Sequence, residues 1–110
     1  MKPPCFYLLI ILLVLPLLAS PAGVWVPIKN VNDPHVKEIG EFAVAEYDKS
    51  SKADLKFVSV VKGETQVVAG TNYRLVLEAK DGAATKHYEA VVWEKPWQNL
   101  RNLTSFKNIN

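Results

Sequence analysis

The stretch from residue 33 to residue 48, DPHVKEIGEFAVAEYD, decides the fold because it carries the clearest helical pattern. Asp33 can accept a backbone N–H as the N-cap, and Pro34 suits the first helical position, where no donor is needed. Apolar residues then recur at helical spacing, with charged residues mostly on the opposite side. The apolar positions are Val36, Ile39, Phe42, Ala43 and Tyr47. The pattern predicts an amphipathic helix that ends around residues 49–51.

After this helix the apolar pattern changes to a period of two residues, which is typical of half-buried strands. The predicted strands are Phe57–Val61, Tyr73–Lys80, Tyr88–Trp93 and Leu100–Phe106, with a short extended segment before the helix at Val24–Ile28. Asp81-Gly82 is a turn signal, and Pro27 marks an edge. The chain is therefore predicted to be α+β, with one N-terminal helix packed across a four- to five-stranded antiparallel sheet. A single helix covers one face of that sheet and leaves the other to solvent or a partner.

Gly40 lies inside the predicted helix, where a glycine costs about 1 kcal/mol relative to alanine. That cost is acceptable where the helix has to lie close against a flat surface. We therefore expect the helix to approach the sheet closely at Gly40.

Composition excludes several classes of function. The 110 residues suffice for one domain, and 13 basic against 11 acidic side chains leave a net charge of +2. This balance argues against nucleic acid or an anionic membrane as a partner. Nucleophile motifs, paired histidines at metal spacing and phosphate-binding glycine loops are all missing from the sequence. We therefore expect no enzyme, no cofactor and no metal site.

Residues 1–22 have the pattern of a secretory signal peptide. Lys2 precedes an apolar run over residues 5–15, and small residues follow at Ser20-Pro21-Ala22. A membrane anchor is the alternative, but a spanning helix needs about 20 apolar residues and this run is broken by Pro16. We expect secretion, with cleavage after residue 22 and a mature domain over residues 23–110. The single cysteine lies within the signal, so the mature domain would have no disulfide.

Three segments have the character of a binding surface. Residues 66–70 fall between two predicted strands and would leave apolar side chains on an exposed hairpin tip. Pro96-Trp97 also lies between strands, and tryptophan is a frequent interface anchor because it buries a large area with few rotatable bonds. The third segment, residues 23–25, would be a loose arm beside the first strand.

These motifs together resemble the cystatin family, and its plant branch in particular. Residues 66–70, QVVAG, match the family's Gln-x-Val-x-Gly hairpin, and Pro96-Trp97 matches its Pro-Trp hairpin. The plant branch also has a helix motif with a Phe-Ala-Val core. Residues 39–48 keep this core, with Asp48 in place of the usual closing asparagine. The resemblance covers nearly the whole of residues 23–110.

The resemblance implies a cystatin-like fold and a reversible, competitive inhibitor of papain-like cysteine proteases, either the plant's own or those of a pest or pathogen. In this family the two hairpins and the arm form a wedge in the protease cleft, and the wedge offers no peptide bond placed for attack. The implied protease-binding residues are Gly23, Gln66, Val67, Val68, Ala69, Gly70, Pro96 and Trp97. We expect a monomer, with a domain-swapped dimer hinged at residues 66–70 as the alternative.

One departure from the family pattern concerns the arm. Plant cystatins usually have a Gly-Gly pair there, whereas this chain has Gly23 followed by Val24. Valine stiffens that hinge, and cleavage after Ala22 leaves almost no arm. We therefore expect the two hairpins to carry more of the binding than the arm does.

Other residues have simpler interpretations. Trp25 and Trp93 are expected to pack on the sheet rather than to contact a protease, and Gln66 could simply hold its own hairpin through its amide. A cystatin-fold binding module without inhibitory activity is the remaining alternative, which the intact hairpin motif disfavours.

Asn102-Leu103-Thr104 is an N-glycosylation sequon, which favours a glycan on Asn102. It falls within a predicted strand, which disfavours one, so both alternatives stay open. The legumain-inhibiting extension of larger plant cystatins is not expected after Asn110.

Overall fold

A computed structural model describes residues 23–110, so the predicted signal peptide over residues 1–22 lies outside the described part. The elements are β1 (Val26–Pro27), α1 (Pro34–Ser51), β2 (Leu55–Val67), β3 (Thr71–Asp81), β4 (Ala84–Lys95) and β5 (Leu100–Asn108). The five strands form one antiparallel sheet in which their spatial order follows their order in the chain. The predicted α+β architecture is confirmed.

The helix begins and ends through local hydrogen bonds. The Asp33 carboxylate accepts the backbone N–H of His35 at 2.8 Å, and Pro34 occupies the first turn, as predicted. At the other end Lys52 is in the left-handed conformation, with φ 61°, which turns the chain towards β2. The Asp48 carboxylate accepts the N–H of Leu55 at 3.0 Å. Asp48 therefore fastens the end of α1 to the start of the sheet.

The hydrophobic core lies between α1 and one face of the sheet. Its buried residues are Val36, Ile39, Ala43, Val44, Leu55, Val60, Leu75, Leu77, Ala79, Tyr88, Ala90 and Val92. A Cβ placed on Gly40 would lie 2.8 Å from the Phe57 ring and 3.2 Å from Leu77. The close approach expected at this glycine is confirmed, since any side chain would push the helix away from the sheet.

All four long strands extend beyond their predicted bounds, and β2 departs most from its sequence pattern. β2 runs from Leu55 to Val67, but its pairing with β3 shifts register between Phe57 and Ser59 and again between Val60 and Lys62. Each such bulge reverses which residues face the core. The period of two is therefore broken in the first half of the strand. Residues 62–66 beyond the bulges carry no apolar side chain, so no alternation marks the second half, although the backbone pairing continues to Val67.

The second face of the sheet is not covered by the helix. It contains a concave surface with a cavity of about 840 Å³, lined by charged side chains such as Glu64 and Arg74 and by apolar ones such as Ile28 and Ile109. Between residues 23 and 110, no helix is long and apolar enough to cross a membrane.

Candidate functional site

The three segments singled out from the sequence meet at one end of the sheet. The turn between β2 and β3 (first loop, residues 67–70) and the turn between β4 and β5 (second loop, residues 96–99) lie at the same end, because every neighbouring pair of strands is antiparallel. Val26 pairs with Thr65 near the end of β2, so the arm (residues 23–25) reaches the same end.

The first loop is a tight turn with exposed apolar side chains. Val67 and Val68 are 61% and 41% exposed. Ala69 and Gly70 have φ values of 45° and 124°, and the Val68 N–H donates to the Gly70 carbonyl at 3.1 Å. The tip is therefore held by its own backbone while its valines face solvent.

The second loop is a single turn of 3₁₀ helix. Pro96 begins it, and the turn closes where the N–H of Asn99 donates to the Pro96 carbonyl at 3.1 Å. Trp97 at its tip is 67% exposed. An indole that is two-thirds exposed is unusual for a monomeric surface and is available as an interface anchor.

Gln66 joins the arm to the sheet. Its amide donates to the Gly23 carbonyl at 2.8 Å, and its side-chain oxygen accepts the amide of Asn72, its partner on β3, at 3.0 Å. The suggested role in holding its own hairpin is therefore present, and the contact to Gly23 is an additional one. Through this side chain the arm and the first loop share one support.

Trp93 joins the first loop to β4, the strand that leads into the second loop, and the sequence did not predict this contact. Its indole N–H donates to the Val68 carbonyl at 3.2 Å, and the ammonium of Lys95 lies 4.7 Å from its ring centroid. The strand alternation offered one signal for this residue, since it places Trp93 on the face of the sheet away from that of the buried Val92. Trp25 does pack on the sheet, with the Arg74 guanidinium 4.2 Å from its ring centroid.

Gly70 brings the first loop directly against β4. A Cβ on this residue would lie 2.5 Å from the Glu94 carbonyl oxygen and 3.2 Å from the indole nitrogen of Trp93. Glycine is therefore required here both for its φ and for the space.

A buried ion cluster lies under the second loop. Glu94 is 4% exposed and is the one buried charged residue among those that the structure describes. Its carboxylate contacts the His35 ring at 2.8 Å and accepts two hydrogen bonds from Arg101, at 3.1 and 2.6 Å. Burial alone would raise the pKa of Glu94, but the hydrogen bonds from Arg101 and His35 outweigh it and hold the pKa below its ordinary value.

The chemistry of this end of the molecule is that of a binding surface. Within residues 23–110 no group of histidine, cysteine and carboxylate side chains is placed to hold a metal ion. The exposed side chains of the first loop are aliphatic, and those of the second loop are Pro96, Trp97 and the neutral amides of Gln98 and Asn99. Such a ridge can enter an apolar cleft, and it offers no nucleophile or base at its tip.

Asn102 lies apart from the loop tips. It is exposed on β5, where it pairs with Trp93, and Thr104 of the same sequon donates its hydroxyl to the Val91 carbonyl at 3.0 Å.

Comparison with known proteins identifies the family. Residues 28–109 match a family model described as aspartic acid proteinase inhibitor, SQAPI. Cysteine proteinase inhibitor 5 of Arabidopsis thaliana is 58% identical over 105 residues, which cover 92% of this chain and 86% of that protein. Cysteine proteinase inhibitor 1 of Actinidia chinensis var. chinensis is 57% identical over 80% of this chain and 76% of its own length.

Solved structures agree on the fold. The solution structure of the squash aspartic acid proteinase inhibitor has a TM-score of 0.63 and 32% identity, and the match covers 83% of this chain and 98% of that one. The salivary cystatin of the soft tick Ornithodoros moubata has a TM-score of 0.72 at 24% identity, over 83% of this chain and all of that one.

One helix on a five-stranded antiparallel sheet, with two loops and an arm at one end, therefore defines a proteinase inhibitor of the cystatin fold rather than an enzyme. With relatives above 50% identity along most of its length, the chain belongs to the plant cystatins, the phytocystatin family of cysteine proteinase inhibitors.

The Gly70→Ala variant tests the contact between the first loop and β4. We expect it to lower the free energy of unfolding by about 2 kcal/mol or more, because the methyl group meets the Glu94 carbonyl and φ is unfavourable. Gly82→Ala is the matched control: φ is also positive there, but its Cβ meets nothing within 4 Å, so strain alone should cost about 1 kcal/mol. Urea unfolding measures both, and equal losses would contradict the contact.

The pKa of Glu94 predicts a pH dependence of stability. Because the folded-state pKa lies below the ordinary 4.5, the unfolded chain binds this proton more readily than the folded one. The stabilisation by Glu94 is thus complete above about pH 4.5 and is lost as pH falls through the folded-state pKa. Unfolding free energy measured from pH 7 to pH 2 should decline in acid, and less steeply in Glu94→Gln. Parallel curves for the two proteins would refute this.

Proposed function

We propose that this protein is a reversible, competitive inhibitor of papain-like cysteine proteases, which occludes the active-site cleft with the two loops and the arm. The observation that carries the proposal is the meeting of these three segments at one end, with Trp97 two-thirds exposed at the tip. The names of the plant relatives support cysteine proteases as the targets. In this proposal the contact residues are those predicted from the sequence, Gly23, Gln66 to Gly70, Pro96 and Trp97.

Occlusion suits the way the loops are built. Both tips are short turns closed by backbone hydrogen bonds, and the contact between Trp93 and Val68 ties the first tip to the strand that leads into the second. Little conformational freedom is left to lose on docking, which favours tight binding. The tips are tight turns and not extended segments, so neither presents a peptide bond in the extended conformation that a protease cleaves.

The arm contributes less than the loops in this proposal. Gly23 has φ 88°, and its carbonyl is held by Gln66, while Val24 is 49% exposed. If the signal is cleaved after residue 22, Gly23 is the first residue of the mature protein. The arm would then extend the wedge by only a residue or two.

Inhibition of aspartic proteinases is the second candidate function. It is favoured by the family model, which is described by that activity, and by the squash inhibitor at 32% identity. The curated relatives at higher identity are named as cysteine proteinase inhibitors, which is why the first proposal is preferred. A panel that contains both papain and pepsin separates the two.

Removal of the Trp97 indole should weaken inhibition of papain. We expect Trp97→Ala to raise the inhibition constant about 30-fold, the equivalent of about 2 kcal/mol for a hot-spot aromatic. The measurement is a titration of papain on a small fluorogenic peptide with the monomeric chain 23–110, whose monomeric state is checked by gel filtration.

Val58→Ala is the control, because Val58 is an apolar residue of β2 that is 42% exposed but lies outside the loops. It should leave the inhibition constant unchanged. An unchanged constant in Trp97→Ala would remove this residue from the site. Failure of the wild-type chain to inhibit papain, with inhibition of pepsin instead, would move the proposal to the second candidate.

Secretion is also proposed, from the signal-like pattern of residues 1–22. When the full chain is produced in plant cells, the protein should be recovered from the secreted fraction with Gly23 at its N-terminus. Asn102 is exposed on an edge strand, so a glycan there would not collide with the core. Intact mass before and after glycosidase treatment measures both features, and a retained N-terminus would contradict processing.

A further inference from the structure

We infer that Glu94 is a positioning residue for the second loop: its buried carboxylate, held by Arg101 and His35, determines where Trp97 is presented to a protease. The inference rests on the proposed inhibitory function and adds to it a residue that lies behind the contact surface.

The location of the pair is the first argument. Glu94 is the next-to-last residue of β4, and its registered partner across the ladder is Arg101, the second residue of β5. The two side chains therefore bracket residues 95–100, which form the second loop and its two flanking positions. An ion pair at the base of a turn restricts the directions in which the turn can leave the sheet.

The burial of the carboxylate is the second argument. A buried charge is costly unless it is paired and hydrogen-bonded. One oxygen of Glu94 contacts His35 at 2.8 Å, and the other accepts both hydrogen bonds from Arg101. The Arg101 guanidinium also contacts the carboxylate of Glu38 at 2.8 Å. With both oxygens engaged, the carboxylate has one orientation, and it joins the start of α1 to the two strands that carry the loop.

The surroundings of Glu94 connect it to the first loop as well. Tyr73 faces it from β3, with its ring 5.9 Å from that of His35, and burial together with the negative charge of Glu94 raises the pKa of Tyr73. On the backbone side, the Glu94 carbonyl oxygen is the atom that Gly70 approaches most closely. Glu94 thus contacts α1 through His35, β5 through Arg101 and the first loop through Gly70.

A second glutamate on the same strand provides a matched control. Glu89 of β4 is registered with Lys107 of β5, and their charged groups are 3.5 Å apart. This pair is likewise registered across the β4–β5 ladder, but it lies on the other face of the sheet and further from the loop, and the Glu89 side chain is 28% exposed. A general effect of losing a β4–β5 ion pair should therefore appear in both Glu94→Gln and Glu89→Gln. A loss of loop positioning should appear in Glu94→Gln alone.

The experiment is a double-mutant cycle on papain inhibition. Glu94→Gln should raise the inhibition constant about ten-fold in the wild-type background and less than about two-fold in the Trp97→Ala background. The second effect is smaller because Trp97→Ala has already removed the indole whose position Glu94 controls. Glu89→Gln should change neither constant. A Glu94→Gln protein that inhibits as the wild type does, or that loses the same factor in both backgrounds, would overturn the inference.

A second readout does not depend on any protease. The ¹H–¹⁵N heteronuclear NOE resolves the Trp97 indole and the amides of residues 97–99, and these values should fall in Glu94→Gln but not in Glu89→Gln. Unchanged values at Trp97 would overturn the inference even if inhibition weakened. If the wild-type chain proves not to inhibit papain, the proposed function fails, and this readout alone decides whether Glu94 holds the loop.

Arg101→Lys covers the case in which Glu94→Gln does not fold. Lysine keeps the charge but loses the two-nitrogen contact with the carboxylate. It should reproduce the loss of indole order and a smaller rise in the inhibition constant. A folded Arg101→Lys protein with wild-type values in both measurements would contradict positioning by the pair.

Discussion

The antiparallel pairing of neighbouring strands is the constraint on which the rest of the structure depends. Since the spatial order of the strands is also their order in the chain, alternate turns lie at opposite ends of the sheet. The turns after β2 and β4 therefore share one end with the start of β1, and the turn after β3 lies at the other. The strand order alone thus places two loops and an arm, which are far apart in sequence, at the same end of the sheet.

Local contacts then convert this shared end into one surface. Gln66 binds the Gly23 carbonyl, Trp93 binds the Val68 carbonyl, and Gly70 lies against the backbone of Glu94. The first contact joins the arm to the first hairpin, and the other two join the first loop to β4, the strand that leads into the second loop. A rigid ridge loses less entropy on binding than three independent loops would.

The helix contributes in two ways. Its apolar side closes the core, and the absence of a side chain at Gly40 lets it lie directly on the sheet. Its first turn also reaches the functional end, where His35 and Glu38 contact the Glu94–Arg101 pair. Because residues 23–110 contain no cysteine, these packing and ionic contacts are what hold the loops to the rest of the domain.

The sequence by itself determined the α+β class, the capped helix, the two hairpin tips and the exposed tryptophan, because each depends on a local pattern: a helical period, an N-cap, a strand alternation or a turn motif. The second half of β2 escaped prediction, since two bulges break the alternation in the first half and residues 62–66 carry no apolar side chain. Only the tertiary structure decided the roles of Gln66, Trp93 and Glu94. Their partners Gly23, Val68 and His35 are 25 to 59 residues away in the chain, and such contacts exist only once the sheet has brought the strands together.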